Sequence, residues 1–239
     1  MITFEGFKIK KQLQNAISDM GFEQPTPIQQ ESYSPILGGY DFVGIAQTGT
    51  GKTMAYMLPI LQELNYSEQH NPRIVVLVPT RELVIQIVKQ IELLTAYLSV
   101  RVTGVYGGSN NIGAQTAAIS EGIDIIVGTP RRFYDLIMNN VIRLKSVKKL
   151  VIDEVDIMLD FGYKIDDFLV NPIKKTISLS GTPVDTISQE SYAAPNFYTK
   201  ANLLNHLLKD KIEFNKVLIF ACSKFNADRL FETLNFKSD

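Results

Sequence analysis

The chain has 239 residues, of which 45% are apolar, with a formal net charge of −1 and one cysteine, Cys222. This length exceeds one typical domain and allows a full hydrophobic core. A net charge near zero excludes a general attraction to nucleic acid, so any such contact has to be a local patch. No apolar run approaches the roughly 18 residues that cross a membrane, and a single cysteine excludes an internal disulfide. We therefore expect a cytoplasmic protein without a membrane segment.

The first predicted element is a helix from Lys8 to Met20, with apolar residues at helical spacing and Gly21 as its stop. A second helix is expected to begin near Pro27, with Thr26 as its cap. An ordinary helix start explains the prolines of this segment but does not require Gln29. The Gln29 amide can pair with both the N6 and N7 edges of adenine, which makes it a candidate for base recognition.

The apolar run at 41–45 predicts a strand, and a helical pattern runs from Lys52 to Leu64. Between them lies the segment AQTGTGKT, residues 46–53. A glycine-rich turn that ends in Lys-Thr at a helix start presents free backbone N–H groups, a helix dipole and a cation to one small volume. That combination favours a polyphosphate ligand. A chance glycine-rich turn is the alternative, and the order strand, turn, helix makes it the weaker interpretation.

Each residue of this turn has a role in the phosphate hypothesis. Gly49 and Gly51 let the chain curl around phosphate oxygens, and Lys52 can reach the β and γ oxygens. The Thr53 hydroxyl can ligate Mg²⁺. Ala46 stands where the general motif has glycine, so the segment is a variant of that motif.

Further buried strands are predicted at Ile74 to Val78, Val100 to Val105, Asp124 to Val127 and Leu150 to Ile152. Helical patterns alternate with the strands, which predicts an α/β fold: a right-handed parallel sheet with helices on both faces. Ligands of such sheets bind at the carboxyl ends of the strands. Thr80 and Arg81 follow one of these strands, although Thr80 also suits a simple helix cap.

Asp153 and Glu154 follow the last of these strands. One carboxylate at this position can hold Mg²⁺, while its neighbour can position and deprotonate the water that attacks the γ-phosphorus. An acidic doublet alone is more often a solvated surface feature. Behind an apolar strand in a chain with a phosphate loop, the catalytic interpretation is favoured.

Together these motifs resemble the ATP-dependent RNA helicases of the DEAD-box family, over essentially the whole chain. The motifs are the segment 21–29, AQTGTGKT at 46–53, PTREL at 79–83, Gly107-Gly108, Thr129-Pro130, DEVD at 153–156 and KVLIFACSKFNAD at 216–228. The family form of the phosphate loop accounts for Ala46, and Val155 replaces the usual alanine of the acidic motif. The resemblance implies a RecA-like P-loop lobe, ATP and Mg²⁺ as cofactors, and RNA as a partner bound through its backbone.

The resemblance also assigns individual residues. It implies nucleotide contacts from Phe4, Phe22, Gln29, Gln47, Thr48, Gly49, Thr50, Gly51, Lys52 and Thr53. It implies catalytic roles for Lys52, Asp153 and Glu154, with Thr53 and Asp153 on the metal. It implies RNA contacts from Pro79, Thr80, Arg81, Gly107, Gly108, Thr129, Pro130 and Arg132.

The chain departs from the family pattern in two places. Arg131 stands where the family has glycine, while Arg132 matches the family arginine. After Tyr163 the family continues through a helix and a strand to a Ser-Ala-Thr motif, but here the segment 168–172 follows almost at once. Roughly one strand and one or two helices are missing, more than loop variation covers. The Ser-Gly-Thr at 180–182 is a weaker alternative for that strand, and we favour a linker there.

We therefore predict a first RecA-like lobe at 1–170, a linker at 171–186 and the incomplete start of a second lobe at 187–239, with a strand from Lys216 to Ala221. The family's second lobe supplies arginine fingers, which can be worth roughly 10³ to 10⁵ in rate. We expect Mg-ATP binding with deficient hydrolysis and unwinding. The alternative is a non-catalytic, nucleotide-gated RNA-binding or scaffold fragment. An unrelated P-loop NTPase would not explain Gln29, PTREL and DEVD together.

Overall fold

The structure, a computed structural model, describes residues 3–47, 49–108, 112–160, 169–177, 188, 190–212 and 214–234, with only the backbone at 112 and 224. The chain divides into two compact units, Met1–Leu179 and Ser180–Asp239. This division falls within the linker predicted at 171–186, and the assignment of the two parts to a first and a second lobe stays a prediction. No helix among the described residues has the length and apolar character needed to cross a membrane.

The helices and strands of the first unit alternate along the chain. Its helices are α1 (Lys11–Asp19), α2 (Pro27–Leu37), α3 (Lys52–Glu63), α4 (Arg81–Leu94), α5 (Ile112–Ser120), α6 (Pro130–Met138) and α7 (Val155–Asp160). Its strands are β1 (Phe42–Ile45), β2 (Ile74–Leu77), β3 (Val102–Val105), β4 (Ile125–Gly128), β5 (Lys149–Ile152) and β6 (Ile173–Thr176). Short 3-10 helices cover Phe4–Phe7 and Leu144–Ser146.

The strands form two parallel sheets. The larger sheet has the order β3-β4-β2-β5, and the smaller sheet pairs β1 with β6. In the larger sheet Val76 of β2 is in register with Val127 of β4 and Val151 of β5. In the smaller sheet Val43 is in register with Lys174. The predicted parallel α/β architecture is confirmed.

Helices cover both faces of the larger sheet. Ile74 and Val76 of β2 belong to a core cluster that includes buried residues of α1, α3 and α4. Val75, which points to the opposite face, belongs to a second cluster with Phe133 and Leu136 of α6. Residues of β2 and β4 are therefore almost fully buried, as their continuous apolar runs predict.

Each sheet ends in two edge strands that pair on one side only among the described residues. These are β3 and β5 in the larger sheet, and β1 and β6 in the smaller sheet. Consistent with open edges, Ile45 is 57% exposed and Leu150 is 44% exposed. The strand β6 lies inside the predicted linker and joins the first unit instead. The Ser-Gly-Thr alternative at 180–182 falls outside the described residues.

The described part of the second unit contains the helices α8 (Phe197–Leu207) and α9 (Lys224–Leu234). The guanidinium of Arg229 lies 4.1 Å above the ring of Phe197 and connects them. The strand predicted from Lys216 to Ala221 is wrong, because these residues have no regular structure and Phe220 is 88% exposed. An isolated strand cannot pair its backbone groups, and no neighbouring strand exists in the described part of this unit.

Candidate nucleotide-binding site

The phosphate loop joins β1 to α3, as predicted. Gly49 and Gly51 have φ angles of 83° and 81°, in the left-handed region that favours glycine. The Thr50 hydroxyl donates a hydrogen bond to the carbonyl of Gln47 at 2.7 Å and closes the turn. Thr48 lies outside the described residues. The described part of the loop thus has the tight curvature that a phosphate cradle requires.

Gln29 connects the start of α2 to the end of the phosphate loop. Its side chain is buried, Oε1 accepts from the Thr26 backbone N–H at 3.0 Å, and Nε2 donates to the Gly51 carbonyl at 3.2 Å. The first contact forms a capping box at the helix start. An amide has a second N–H and further lone pairs, so these contacts leave capacity for a ligand. The predicted adenine contact stays a prediction.

The acidic pair stands at the carboxyl end of β5. The Asp153 N–H donates to the Leu77 carbonyl at 3.0 Å, which continues the ladder between β5 and β2. Asp153 Oδ1 accepts from the Glu154 N–H at 2.9 Å. Glu154 has a φ of 51°, an uncommon conformation for a residue other than glycine. Such strained backbone is found preferentially at functional sites.

Tyr56 of α3 joins the helix that carries Thr53 to the acidic strand end. Its hydroxyl donates to Asp153 Oδ2 at 3.1 Å, and Thr53 stands one helical turn earlier on the same helix. Burial, followed by the nearby Asp153 charge, raises the pKa of Tyr56 well above its ordinary value. The phenol therefore stays protonated at neutral pH. Sequence reasoning missed Tyr56, and its spacing from Thr53, one helical turn along α3, was the only signal.

The oxygen donors at this point suit Mg²⁺. This ion is usually held by one or two carboxylates together with substrate phosphates and waters. Thr53 can supply a hydroxyl from the start of α3, and Asp153 can supply a carboxylate from the strand end to which Tyr56 joins that helix. Within the described residues no group of three or more His, Cys, Asp or Glu could hold a metal alone. The site therefore fits a metal that arrives with a phosphate ligand.

Phe4 and Phe22 are the two aromatic residues predicted to contact the nucleotide. Phe4 is buried, and its ring meets Phe7 edge-on at 5.9 Å. Phe7 in turn stacks on Tyr33 at 4.5 Å. Phe22 is half exposed and lines a groove with Leu93 of α4. Their roles in nucleotide binding stay predictions.

The predicted RNA residues follow β2, β3 and β4, which are neighbours in the sheet. Thr80 caps α4, since its hydroxyl accepts from the Leu83 N–H at 3.3 Å. The Arg81 guanidinium lies 4.9 Å from the centre of the Tyr106 ring. Exposed Gly107 and Gly108 follow Tyr106. The segments after β2 and β3 are thus joined by a cation–π contact.

Gln115 of α5 joins the segment after β3 to the segment after β4. Its Nε2 donates to the Tyr106 carbonyl at 3.3 Å, and its Oε1 accepts from Arg132 Nε at 3.3 Å. Arg132 Nη2 is buried and has no hydrogen-bond partner among the described residues. Thr129 precedes α6 and Pro130 begins it. The structure therefore gathers all three predicted RNA segments along one edge, which continues to Asp153 at the end of β5.

A comparison with known families decides the identity of this arrangement. The model of the DEAD/DEAH box helicase domain matches residues 26–189. The chain belongs to the DEAD/DEAH box helicase family. The matched region contains the phosphate loop, the segments predicted to contact RNA and the acidic pair, so the family resemblance drawn from these motifs is confirmed.

Two relatives show how far this DEAD/DEAH box chain extends. It is 41% identical over 167 residues to the ATP-dependent RNA helicase DeaD of Haemophilus influenzae. This alignment covers 70% of this chain and 27% of that protein. It is 33% identical over 264 residues to the DEAD-box ATP-dependent RNA helicase CshA of Bacillus licheniformis, covering 99% of this chain and 54% of that protein. The chain thus spans about a quarter to a half of these relatives.

A solved structure agrees in fold. The crystal structure of a hypothetical ATP-dependent RNA helicase from Sulfolobus tokodaii matches with a TM-score of 0.59 and 36% identity. The match covers 66% of this DEAD/DEAH box chain and 45% of that chain. The parallel sheet and its helices are therefore those of a helicase of this family.

Proposed function

We propose that this chain binds Mg-ATP at the phosphate loop and an RNA backbone along the neighbouring strand ends, as the ATP-binding part of a DEAD-box RNA helicase. The observation that carries the proposal is the hydrogen bond from Tyr56, on the helix that follows the phosphate loop, to Asp153 at the acidic strand end. A phosphate-linked Mg²⁺ needs donors from both places, and this bond joins the two elements that supply them.

Each predicted site residue would have a role that follows from its position. Backbone N–H groups of the loop and Lys52 at the start of α3 would bind the phosphates. Thr53 and Asp153 would hold the metal, which neutralises charge on phosphate oxygens when bound. Glu154, next to Asp153, would position the attacking water and accept its proton.

The RNA part of the proposal rests on the edge formed by the ends of β2, β3 and β4. Arg81 and Arg132 supply positive charge there, and Thr80 and the exposed glycines offer hydroxyl and N–H donors. Such donors recognise phosphates and sugars and carry little base information. Arg132 Nη2 is a buried donor that no described residue satisfies, and a phosphate oxygen would complete it.

We also propose that the 239-residue polypeptide hydrolyses ATP slowly and does not unwind duplexes by itself. The open edges of β1 and β5 support this, because the family's Ser-Ala-Thr strand, which the sequence predicts to be missing, has no counterpart among the described strands. The alignment with the Bacillus licheniformis relative is also longer than this chain, 264 against 239 residues. That relative therefore carries residues that this chain lacks.

The open edges equally favour a second candidate, a non-catalytic scaffold whose RNA affinity responds to nucleotide. Glu154→Gln separates the two candidates. In a catalytic protein this variant would lose the remaining ATP turnover. In a scaffold the variant would bind RNA as tightly as the unmodified chain does, whether the two are compared with ATP or without it. A coupled ATPase and strand-displacement assay that found full RNA-stimulated turnover in the unmodified polypeptide would contradict the proposed deficiency.

The nucleotide proposal is tested by Lys52→Ala. Fluorescence titration with an N-methylanthraniloyl ATP analogue and Mg²⁺ should show roughly 10- to 100-fold weaker binding, because a charge-assisted hydrogen bond to phosphate is lost. Lys89→Ala removes an exposed lysine from α4 and should bind like the unmodified chain. Equal affinity of Lys52→Ala and the unmodified chain, or no saturable binding by either, would refute the site.

A further inference from the structure

We propose that Tyr56 is a positioning residue that orients the Asp153 carboxylate toward Mg²⁺, an inference that rests on the proposed nucleotide function. The family motifs do not include this residue, and its role follows from its contacts. It lies one helical turn after Thr53 on α3, and its hydroxyl reaches across to the end of β5.

Two donors fix the Asp153 carboxylate. Oδ2 accepts from the Tyr56 hydroxyl at 3.1 Å, and Oδ1 accepts from the Glu154 backbone N–H at 2.9 Å. The Glu154 N–H belongs to the residue next to Asp153, and by itself it fixes only Oδ1. The Tyr56 contact adds a bond from a separate element and so selects one rotation of the carboxylate group.

Tyr56 also connects two elements that share no ladder in the described residues. The phosphate loop extends from β1, whose strand partner is β6, whereas Asp153 follows β5 of the other sheet. α3 and β5 are instead joined by side chains: Tyr56 with Asp153, and Glu63 with Lys149 at 2.8 Å. Glu63 and Lys149 stand at the far ends of these elements, so Tyr56 sets the separation near the metal ligands.

The hydroxyl of Tyr56 suits this role. A phenol carries its proton at neutral pH, and here it donates to Asp153 Oδ2 at 3.1 Å. A carboxylate that accepts one hydrogen bond at Oδ2 has further lone pairs for a cation. The phenol can therefore act as an outer-shell partner of a metal-binding carboxylate.

A positioning role predicts a change in metal dependence rather than in nucleotide affinity as such. In Tyr56→Phe, the Mg²⁺ concentration that half-saturates enhanced binding of the fluorescent ATP analogue should rise roughly 10-fold, the lower end of the effect of losing an outer-shell partner. Binding of the analogue in EDTA should stay unchanged. Mn²⁺ titration followed by electron paramagnetic resonance should show the same weakening in the presence of ATP.

Tyr33→Phe is the matched control. Tyr33 is a buried tyrosine whose hydroxyl has no hydrogen-bond partner among the described residues, so its removal should leave the Mg²⁺ requirement unchanged. Melting temperatures of both variants establish that each is folded. In Asp153→Asn, adding Tyr56→Phe should produce no further change, because Tyr56 acts through that carboxylate.

The outcomes distinguish a failure of the proposed nucleotide function from a failure of the proposed role of Tyr56. An unmodified chain whose nucleotide binding does not respond to Mg²⁺ refutes the proposed function and Tyr56 with it. A normal Mg²⁺ response in the unmodified chain, together with an unchanged or lower Mg²⁺ requirement in Tyr56→Phe, refutes the role of Tyr56 alone. An additive effect of Tyr56→Phe and Asp153→Asn would also refute it.

Discussion

The larger and smaller sheets of the first unit differ in how they are held. In the larger sheet, β2 and β4 each have strand neighbours on both edges, and Val75, Val76 and Ile126 are at most 1% exposed. The smaller sheet has two strands in the part of the chain that the structure describes, and Ile45 at the end of β1 is 57% exposed. Two strands alone are marginally stable, so β1 and β6 depend on their contacts with α2.

This difference matters because the candidate site draws on both sheets. The phosphate loop leaves the smaller sheet, and the acidic pair leaves the larger sheet. Backbone ladders fix each half internally, but the two halves are joined by side chains. Gln29 holds the loop at Gly51, and Tyr56 holds Asp153. We call these two contacts, Gln29 with Gly51 and Tyr56 with Asp153, the junction. We expect substitutions in the larger sheet to change stability and substitutions at the junction to change ligand binding.

The largest expected effect is in the larger sheet, at Asp124. This buried carboxylate precedes β4 and accepts from Arg73 Nη2 at 2.7 Å and Arg101 Nε at 3.1 Å. Asp124→Asn should lower the free energy of unfolding by about 3–5 kcal/mol, because the charge of Arg73, whose side chain is only 13% exposed, loses its partner. Urea denaturation measures this change. Asp160→Asn, at an exposed aspartate, is the control and should change it by less than about 0.5 kcal/mol.

The same carboxylate makes stability depend on pH. Burial alone would raise the pKa of Asp124, but hydrogen bonds from Arg101 and Arg73 outweigh it, and the pKa lies below its ordinary value. A depressed carboxyl pKa contributes stability above the unfolded pKa of about 4, and this is lost as pH falls through the folded pKa. Asp124→Asn should remove this acid dependence. Retention of the full acid dependence in the variant would contradict the assignment.

The larger sheet was also the part of the fold that the sequence predicted best. The runs IVVLV and DIIV are apolar on both faces, so local composition was enough to identify β2 and β4. The same reasoning failed at 216–221, where the apolar run has no strand to pair with in the described residues. It also missed β6, whose sequence Ile-Lys-Lys-Thr contains no apolar run and which is defined by its pairing with β1.

The junction shows the same limit of prediction from local sequence. Gly49, Gly51 and Lys52 belong to one short motif, so the sequence predicted the loop between β1 and α3 correctly. The contact between Tyr56 and Asp153 joins residues 97 positions apart, and no local pattern identifies it. The contact between Gln29 and Gly51 was missed for the same reason, since only the fold brings α2 to the loop.

A smaller effect on stability is expected at the junction from Gly51→Ala. Its φ of 81° strains any side chain, and a Cβ there would collide with Nε2 of the buried Gln29. The variant should lose about 1–2 kcal/mol from backbone strain and about 1 kcal/mol more from the displaced Gln29. It should also bind the fluorescent ATP analogue at least 10-fold more weakly.

Gly39→Ala separates strain from collision. Gly39 has a φ of 80°, but nothing lies within 4 Å of the position of its Cβ among the described residues. This variant should show only the strain and should keep its nucleotide affinity. Equal losses of stability in the two variants, with equal binding, would mean that Gln29 does not hold the loop.

The smallest effect is expected at the surface of the smaller sheet. Lys175 of β6 lies 2.8 Å from Glu31 of α2, and both side chains are about half exposed. Lys175→Ala should change the free energy of unfolding by less than about 0.5 kcal/mol, because exposed ion pairs contribute little and are screened by salt. Lys149→Ala, which breaks the pair with Glu63, should be equally mild.

The size of this effect tests whether the ion pair or the ladder with β1 holds β6 in place. Ile173 and Lys175 face in one direction and Lys174 and Thr176 in the other, with the latter two exposed. If Lys175→Ala costs more than about 1 kcal/mol in low salt and nothing in high salt, the ion pair attaches β6 to α2. The smaller sheet would then depend on charge where the larger sheet depends on burial, and the phosphate loop would loosen as salt rises. Equal, small costs in both salts would leave the ladder with β1 as the main support.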